Sequence, residues 1–293
     1  MYLYRFMSGC LIAALLLGSS VHGKVMPVEF DAGRNRLIAY MLSHQLPAQH
    51  FSHKPFDNQM SRSAYDLYLK QLDPRKQFLL RNDAQRLKKF SEKIDDEINN
   101  GRIALPDIGM QLLNKQANEV ERLVEQLLDT GFDPNRVDYL QTDPEKIGNP
   151  VDINELKDRW RRSLKLEVLD TYLEALEKEN KELKKDKKEL LNIDSGPVDQ
   201  KIWKDAVEKV RKKTLHYLDR LRKTTRQEYY NRYFDSISRA FDPHTTYMAP
   251  TSKEDFDIGG KIIFVIEPKC TLEEIPLMFK YRSGVLTVEP WKC

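Results

Sequence analysis

Cysteine is scarce in this 293-residue chain, with only Cys10, Cys270 and Cys293 present. Between Lys24 and Ile258 there is none, so a fold there must be held by a packed core instead of disulfides. Glycine is also scarce, at 12 residues, and Lys, Glu, Leu and Arg are abundant, a balance that argues for helices over sheets. The apolar run Cys10–Leu17 falls far short of the roughly 20 residues a membrane span needs. No stable membrane span is expected. Nor is there an excess of one charge: 48 basic against 45 acidic side chains leave a net +3, too little for tracking a phosphate backbone. No nucleic-acid partner is expected. The helical segments show no repeat of fixed period, so a solenoid is not supported.

The hydrophobic share of 40% is enough for a core, and the 32% of charged residues exceeds the usual quarter. Residues 1–23 have the layout of a secretory signal: Arg5, then Cys10–Leu17, then Val21-His22-Gly23 before a cleavage site ahead of Lys24. Export to the periplasm is the expectation. Met7-Ser8-Gly9-Cys10 is not a lipidation box, because its cysteine precedes the apolar run. Cys270 and Cys293 could pair or remain reduced, and spacing alone does not decide.

Apolar residues at helical spacing predict a first helix over Phe30–Leu46 on Leu37, Ile38, Met41 and Leu42. Pro47–Phe56 is expected to be a loop with His50 and His53 on its surface. Two histidines without a third ligand make no metal site. Asp57–Leu72 is a second helix on Met60, Ala64, Leu67 or Tyr68, and Leu72. Asn82 or Asp83 should cap a third, on Leu87, Phe90, Ile94 and Ile98, stopped at Asn99-Asn100-Gly101. Pro106 suits the first turn of a fourth, on Ile108, Leu112, Val120, Leu123, Val124 and Leu127, ended by a left-handed Gly131. Phe132–Pro150 is the longest irregular connection.

Asp152 should cap a long helix on Ile153, Leu156, Trp160, Leu164, Leu169, Leu173 and Leu176. Its end, Glu177–Glu189, interleaves both charges at i,i+4 spacing, a solvated helix extension whose field cancels. After the turn Asp194–Pro197 comes a helix on Ile202, Ala206, Val210, Tyr217 and Leu221.

The chain is organised around Thr225–Phe256. Thr225 and Glu228 form a capping-box pattern. Tyr230, Tyr233 or Phe234, Ile237 and Phe241 follow at helical spacing. Pro243 disfavours helical backbone at Asp242, so the helix must stop there. Asp242-Pro243-His244-Thr245-Thr246-Tyr247 then reads as a turn, in which Asp242 takes backbone N–H groups and His244 packs beside Tyr247. Pro250 closes it, and Thr251–Glu254 repeats the S/T-x-x-E pattern.

The run Asp242-Pro243-His244-Thr245 with Tyr247 and Pro250, followed by an acidic-aromatic segment, resembles the junction of bacterial tail-specific (C-terminal processing) proteases. The likeness extends over about residues 30 to 258. It implies an N-terminal helical domain that, in the family, is joined to a PDZ domain and a core with a serine nucleophile and a lysine general base. It also implies envelope protein substrates with apolar C-termini, or a lipoprotein adaptor, as partners, and no cofactor. The junction residues would be a scaffold joint without catalytic function.

Where the family enters a Gly-rich segment, this sequence reads Gly259-Gly260-Lys261-Ile262-Ile263. Residues 261–266 and 284–288 are β-type runs. No S-x-x-K or G-x-S-x-G pattern occurs. The expectation is therefore an all-α protein with long helices and a short β-prone or disordered tail: a signal over 1–23, the helical domain over 24–250, and a junction with a truncated or aberrant tail over 251–293. Such a chain would lack peptidase activity of its own and keep scaffold or docking roles. A different reading is an independent periplasmic helical chaperone or adaptor.

Overall fold

The computed structural model describes residues 29–50, 54–185, 198–248, 263–266, 277–282 and 285–290. The expected signal, the turn at 194–197, Pro250, the 251–254 pattern and all three cysteines lie outside them. Among the described residues the chain is all-helical up to Phe241: α1 Ala32–Gln49, α2 Asn58–Leu72, α3 Arg81–Lys88, α4 Ile94–Asn100, α5 Leu105–Thr130, α6 Ile153–Lys185, α7 Gln200–Arg222 and α8 Arg226–Phe241. No described helix is long and apolar enough to cross a membrane. Four strands follow, β1 Thr245–Met248, β2 Ile263–Ile266, β3 Leu277–Arg282 and β4 Val285–Pro290, forming an antiparallel sheet in chain order. The two β-type runs of the sequence correspond to β2 and β4, whereas β3 has no counterpart in that reading.

The helices start where short polar side chains can accept their free N–H groups. Asp31 accepts from Gly33 and Arg34, Asp57 from Gln59 and Met60, Asp152 from Asn154 and Glu155, and Asp199 from Lys201 and Ile202. The third cap differs from expectation. Leu80 occupies the N-cap and Asp83 reaches back from the first turn to the Leu80 N–H at 3.2 Å.

The expected third helix is in fact two, α3 and α4, separated by turns over 89–93. The break leaves Phe90 only half-buried but still turns Leu87, Ile94 and Ile98 inward. Gly101 takes the left-handed conformation that ends α4 (φ 63°). Gly131 also has positive φ (77°), but with an extended ψ of −177° it directs the chain straight away from α5.

Proline 47 does not end α1. It lies in the last turn, and the helix continues until the His50 N–H reaches the Leu46 carbonyl at 2.9 Å. Losing one N–H there is outweighed by the burial of Leu46 and His50 on the core. Periodicity also misplaced single residues on long helices. Leu37, Ile153, Leu173 and Tyr217 are exposed, while their neighbours Ile38, Tyr172 and Leu218 are buried. On α6 the stripe runs Leu156, Trp160, Leu164, Val168, Tyr172, Leu176, an unbroken series of four-residue steps that Leu169 and Leu173 do not fit.

Helix α8 lies at the centre of the first helices, packing on α2, α1, α5 and β1. Helix α5 faces both ways, onto α8 on one side and onto α6 and α7 on the other. Tyr229, Tyr233, Phe234, Ile237 and Phe241 of α8 are completely buried, so both alternatives at 233/234 face the core. Five aromatic side chains in 16 residues give this helix several rings on each face. Tyr233 meets Tyr68 edge-on at 6.1 Å, and Phe234 meets Tyr233 and Tyr247 at 5.6 Å.

Candidate interdomain junction

The end of α8 is built by side chains from four parts of the chain. Thr225 and Glu228 form the expected reciprocal cap at its start. At its other end Asp242 is extended (φ −150°, ψ 132°), as a residue before proline should be. Its Oδ1 accepts the His244 N–H at 2.8 Å and its carbonyl accepts the Thr245 N–H at 2.9 Å, closing a tight turn over exposed Pro243 and His244. The Lys54 ammonium donates to the Phe241 carbonyl at 2.9 Å, a cation on an unpaired acceptor at the negative end of the helix.

The turn is shorter than expected. From Thr245 the backbone is a strand, with Thr245 and Tyr247 inward and Thr246 and Met248 outward. This alternation separates His244 from Tyr247. His244 is exposed, and Tyr247 packs its ring on Phe234 instead. Burial raises the Tyr247 phenol far above its ordinary range. In register, Thr245 pairs with Ile266 and Met248 with Ile263, so β1 connects the helical body to the sheet.

His50 supplies the main correction. It is not a surface histidine but 1% exposed, set edge-on to Phe241 at 5.2 Å, with Nε2 3.4 Å from the Thr245 hydroxyl. Its position three residues after Pro47 in a presumed loop gave no hint of burial. His53 lies outside the described residues.

Asp235 was also missed. One turn and a half before the end of α8, it accepts from Gln71 of α2 at 2.9 Å, from Arg239 at 2.8 Å and from the Tyr247 N–H at 3.3 Å. It thus ties helix to helix and helix to strand through one carboxylate. A mid-helix aspartate four residues before an arginine reads in sequence as a simple i,i+4 pair.

The chemistry here is structural. Asp242 and Asp235 accept backbone N–H groups, and Lys54 donates to a backbone carbonyl. The hydroxyls of Ser236 and Ser238 bond to the carbonyls of Tyr233 and Phe234 on their own helix. Among the described residues no serine hydroxyl is hydrogen-bonded to a lysine, and no cluster of His, Cys, Asp or Glu has the makings of a metal site.

The family described as "Tail specific protease N-terminal domain" matches residues 42–251. The tail-specific protease of Haemophilus influenzae is 22% identical over 258 residues. That alignment covers 87% of this chain and 34% of the relative, so the chain spans about a third of that protein's length. The chain belongs to the tail-specific protease N-terminal domain family.

Proposed function

We propose that this chain, with that membership as premise, is the N-terminal helical portion of a periplasmic tail-specific serine protease, and that it acts as scaffold and partner-docking domain. The supporting observation is the junction itself. The family match ends at residue 251, just past β1, where the helical body is already closed around α8 and hands the chain on. In this reading the whole enzyme degrades envelope proteins recognised by apolar C-termini, and the Ser/Lys dyad belongs to a part of the enzyme outside this helical body. The helical domain holds the geometry and meets an adaptor or substrate.

Expression from the first codon in a bacterium with a periplasm tests the export component. The expected product is released by osmotic shock and starts at Lys24; a cytosolic product retaining Met1 would overturn it. The docking component is tested against a holdase role with a thermally stressed client. A scaffold leaves aggregation unchanged at equimolar amounts, and stoichiometric suppression would favour an independent chaperone.

A further inference from the structure

A groove between α6, α7 and the connection following α2 is not part of the junction. It consists of two hollows, of about 430 and 240 Å³, that share Arg75, Gln77, Ser163 and Glu167. The larger lies within the size range of ligand sites. It is aromatic: Phe78 and Trp160 meet edge-on at 5.8 Å, and the half-exposed Tyr217 ring lies 6.3 Å from Phe78. The smaller is lined mostly by polar residues, with one aliphatic wall of Leu140, Ile147 and the exposed Leu166.

The charges sort just as clearly. The buried Asp73 carboxylate is engaged by the N–H groups of Gln77, Phe78 and Leu79, and Glu167 pairs with Lys213 at 3.2 Å. Arg159 donates to the carbonyls of Lys76 and Gly148. Arg75 and Arg220 are different: both are exposed on the groove, and among the described residues no carboxylate pairs with either. Asp170 lines only the smaller hollow, so the cationic part of the groove is the aromatic one.

Two hollows that share the unpaired Arg75 and the Lys213-paired Glu167, one with an aromatic wall and Arg220 beside it and the other with an aliphatic wall, fit an extended chain that alternates carboxylates with apolar side chains. A compact anion would fill only one hollow. We propose that this groove docks an acidic-apolar peptide segment of a partner protein, its carboxylates on Arg75 and Arg220 and its apolar side chains against Tyr217 and Leu166. The site is separate from the junction and does not depend on the protease reading.

The test uses the full chain and a short fluorescein-labelled synthetic peptide alternating aspartate or glutamate with leucine or phenylalanine, followed by polarisation. Saturable binding that weakens with salt is expected, with a loss of about tenfold or more in R75E/R220E and a smaller loss in L166D. The same peptide with lysines in place of its acids should not bind. Thermal unfolding checks that each variant folds, and R75Q/R220Q replaces the charge reversal if that variant does not. Absence of binding, undiminished binding to the arginine variants, or equal binding of the lysine peptide would overturn the proposal. So would displacement by phenylacetate at concentrations matching the unlabelled peptide, which would make the groove a small-anion site.

Discussion

The hydroxyl of Tyr233, on α8, donates to the carboxylate of Glu97, on α4, across 2.9 Å of buried space. The other carboxylate oxygen accepts the N–H groups of Ala104 and Leu105 at 3.0 and 3.2 Å, so Glu97 also caps the start of α5. One side chain therefore joins three helices. Burial pushes its carboxyl above the ordinary range, against the opposing pull of the Ala104 and Tyr233 hydrogen bonds.

A pH dependence follows. With the folded value raised, the stabilising contribution is complete below the unfolded value of about 4.3 and declines as pH rises through the folded value. Glu97→Gln keeps an acceptor for the two N–H groups and cannot ionise, so its stability relative to wild type should improve with rising pH across that window. Glu97→Ala leaves three buried donors unsatisfied and should destabilise by about 3–5 kcal/mol. Urea unfolding at several pH values reads both.

Tyr68 and Gly109 should couple strongly. The Tyr68 hydroxyl is fully buried without a hydrogen-bond partner, and a Cβ on Gly109 would come within 2.4 Å of it. Tyr68→Phe removes an unpaired polar group and should be neutral or stabilising, by up to about 2 kcal/mol. Gly109→Ala alone should destabilise. In the Phe background it should lose most of that penalty, because alanine favours a helix interior by about 1 kcal/mol. Additive effects in the double-mutant cycle would contradict this.

Asp235→Ala removes one acceptor from a strand N–H, a glutamine and an arginine at once. A loss of about 1–3 kcal/mol is expected. Hydrogen exchange at Tyr247 should accelerate while the amides of α8 stay protected, since the strand loses its tie before the helix loses its core.

Arg226 grips Asp107 with two bonds of 2.6 and 2.8 Å and lies over the Phe30 ring at 3.6 Å, clamping the start of α8 to α5 and the segment before α1. Arg226→Lys keeps the charge but loses the fork and the stacking. A cost of about 1 kcal/mol is expected in chemical unfolding.

Much of this architecture was legible in the sequence because it is written in local chemistry. The Thr225–Glu228 cap, the Asp242-Pro243 stop and the α8 aromatic stripe each depend on residues within one or two turns. What escaped depends on partners far along the chain. His50 is buried because Phe241 and Thr245 come to it, and Asp235 matters because Gln71 and Tyr247 do. Single-residue errors at Leu37, Leu173 and Tyr217 come from helices whose neighbouring positions are equally apolar, so that the side facing the core is chosen only by packing. The groove at Arg75 and Arg220 escaped for the same reason, since the two arginines are 145 residues apart and its walls come from three separate stretches of chain.

Whether this chain is a mounting that lacks its own cutting site is tested most directly by incubating the purified protein with a fluorogenic peptide ending in a free apolar carboxyl terminus. The expected result is no turnover above the buffer rate, with or without a serine-directed inhibitor. Turnover that such an inhibitor abolishes would contradict it.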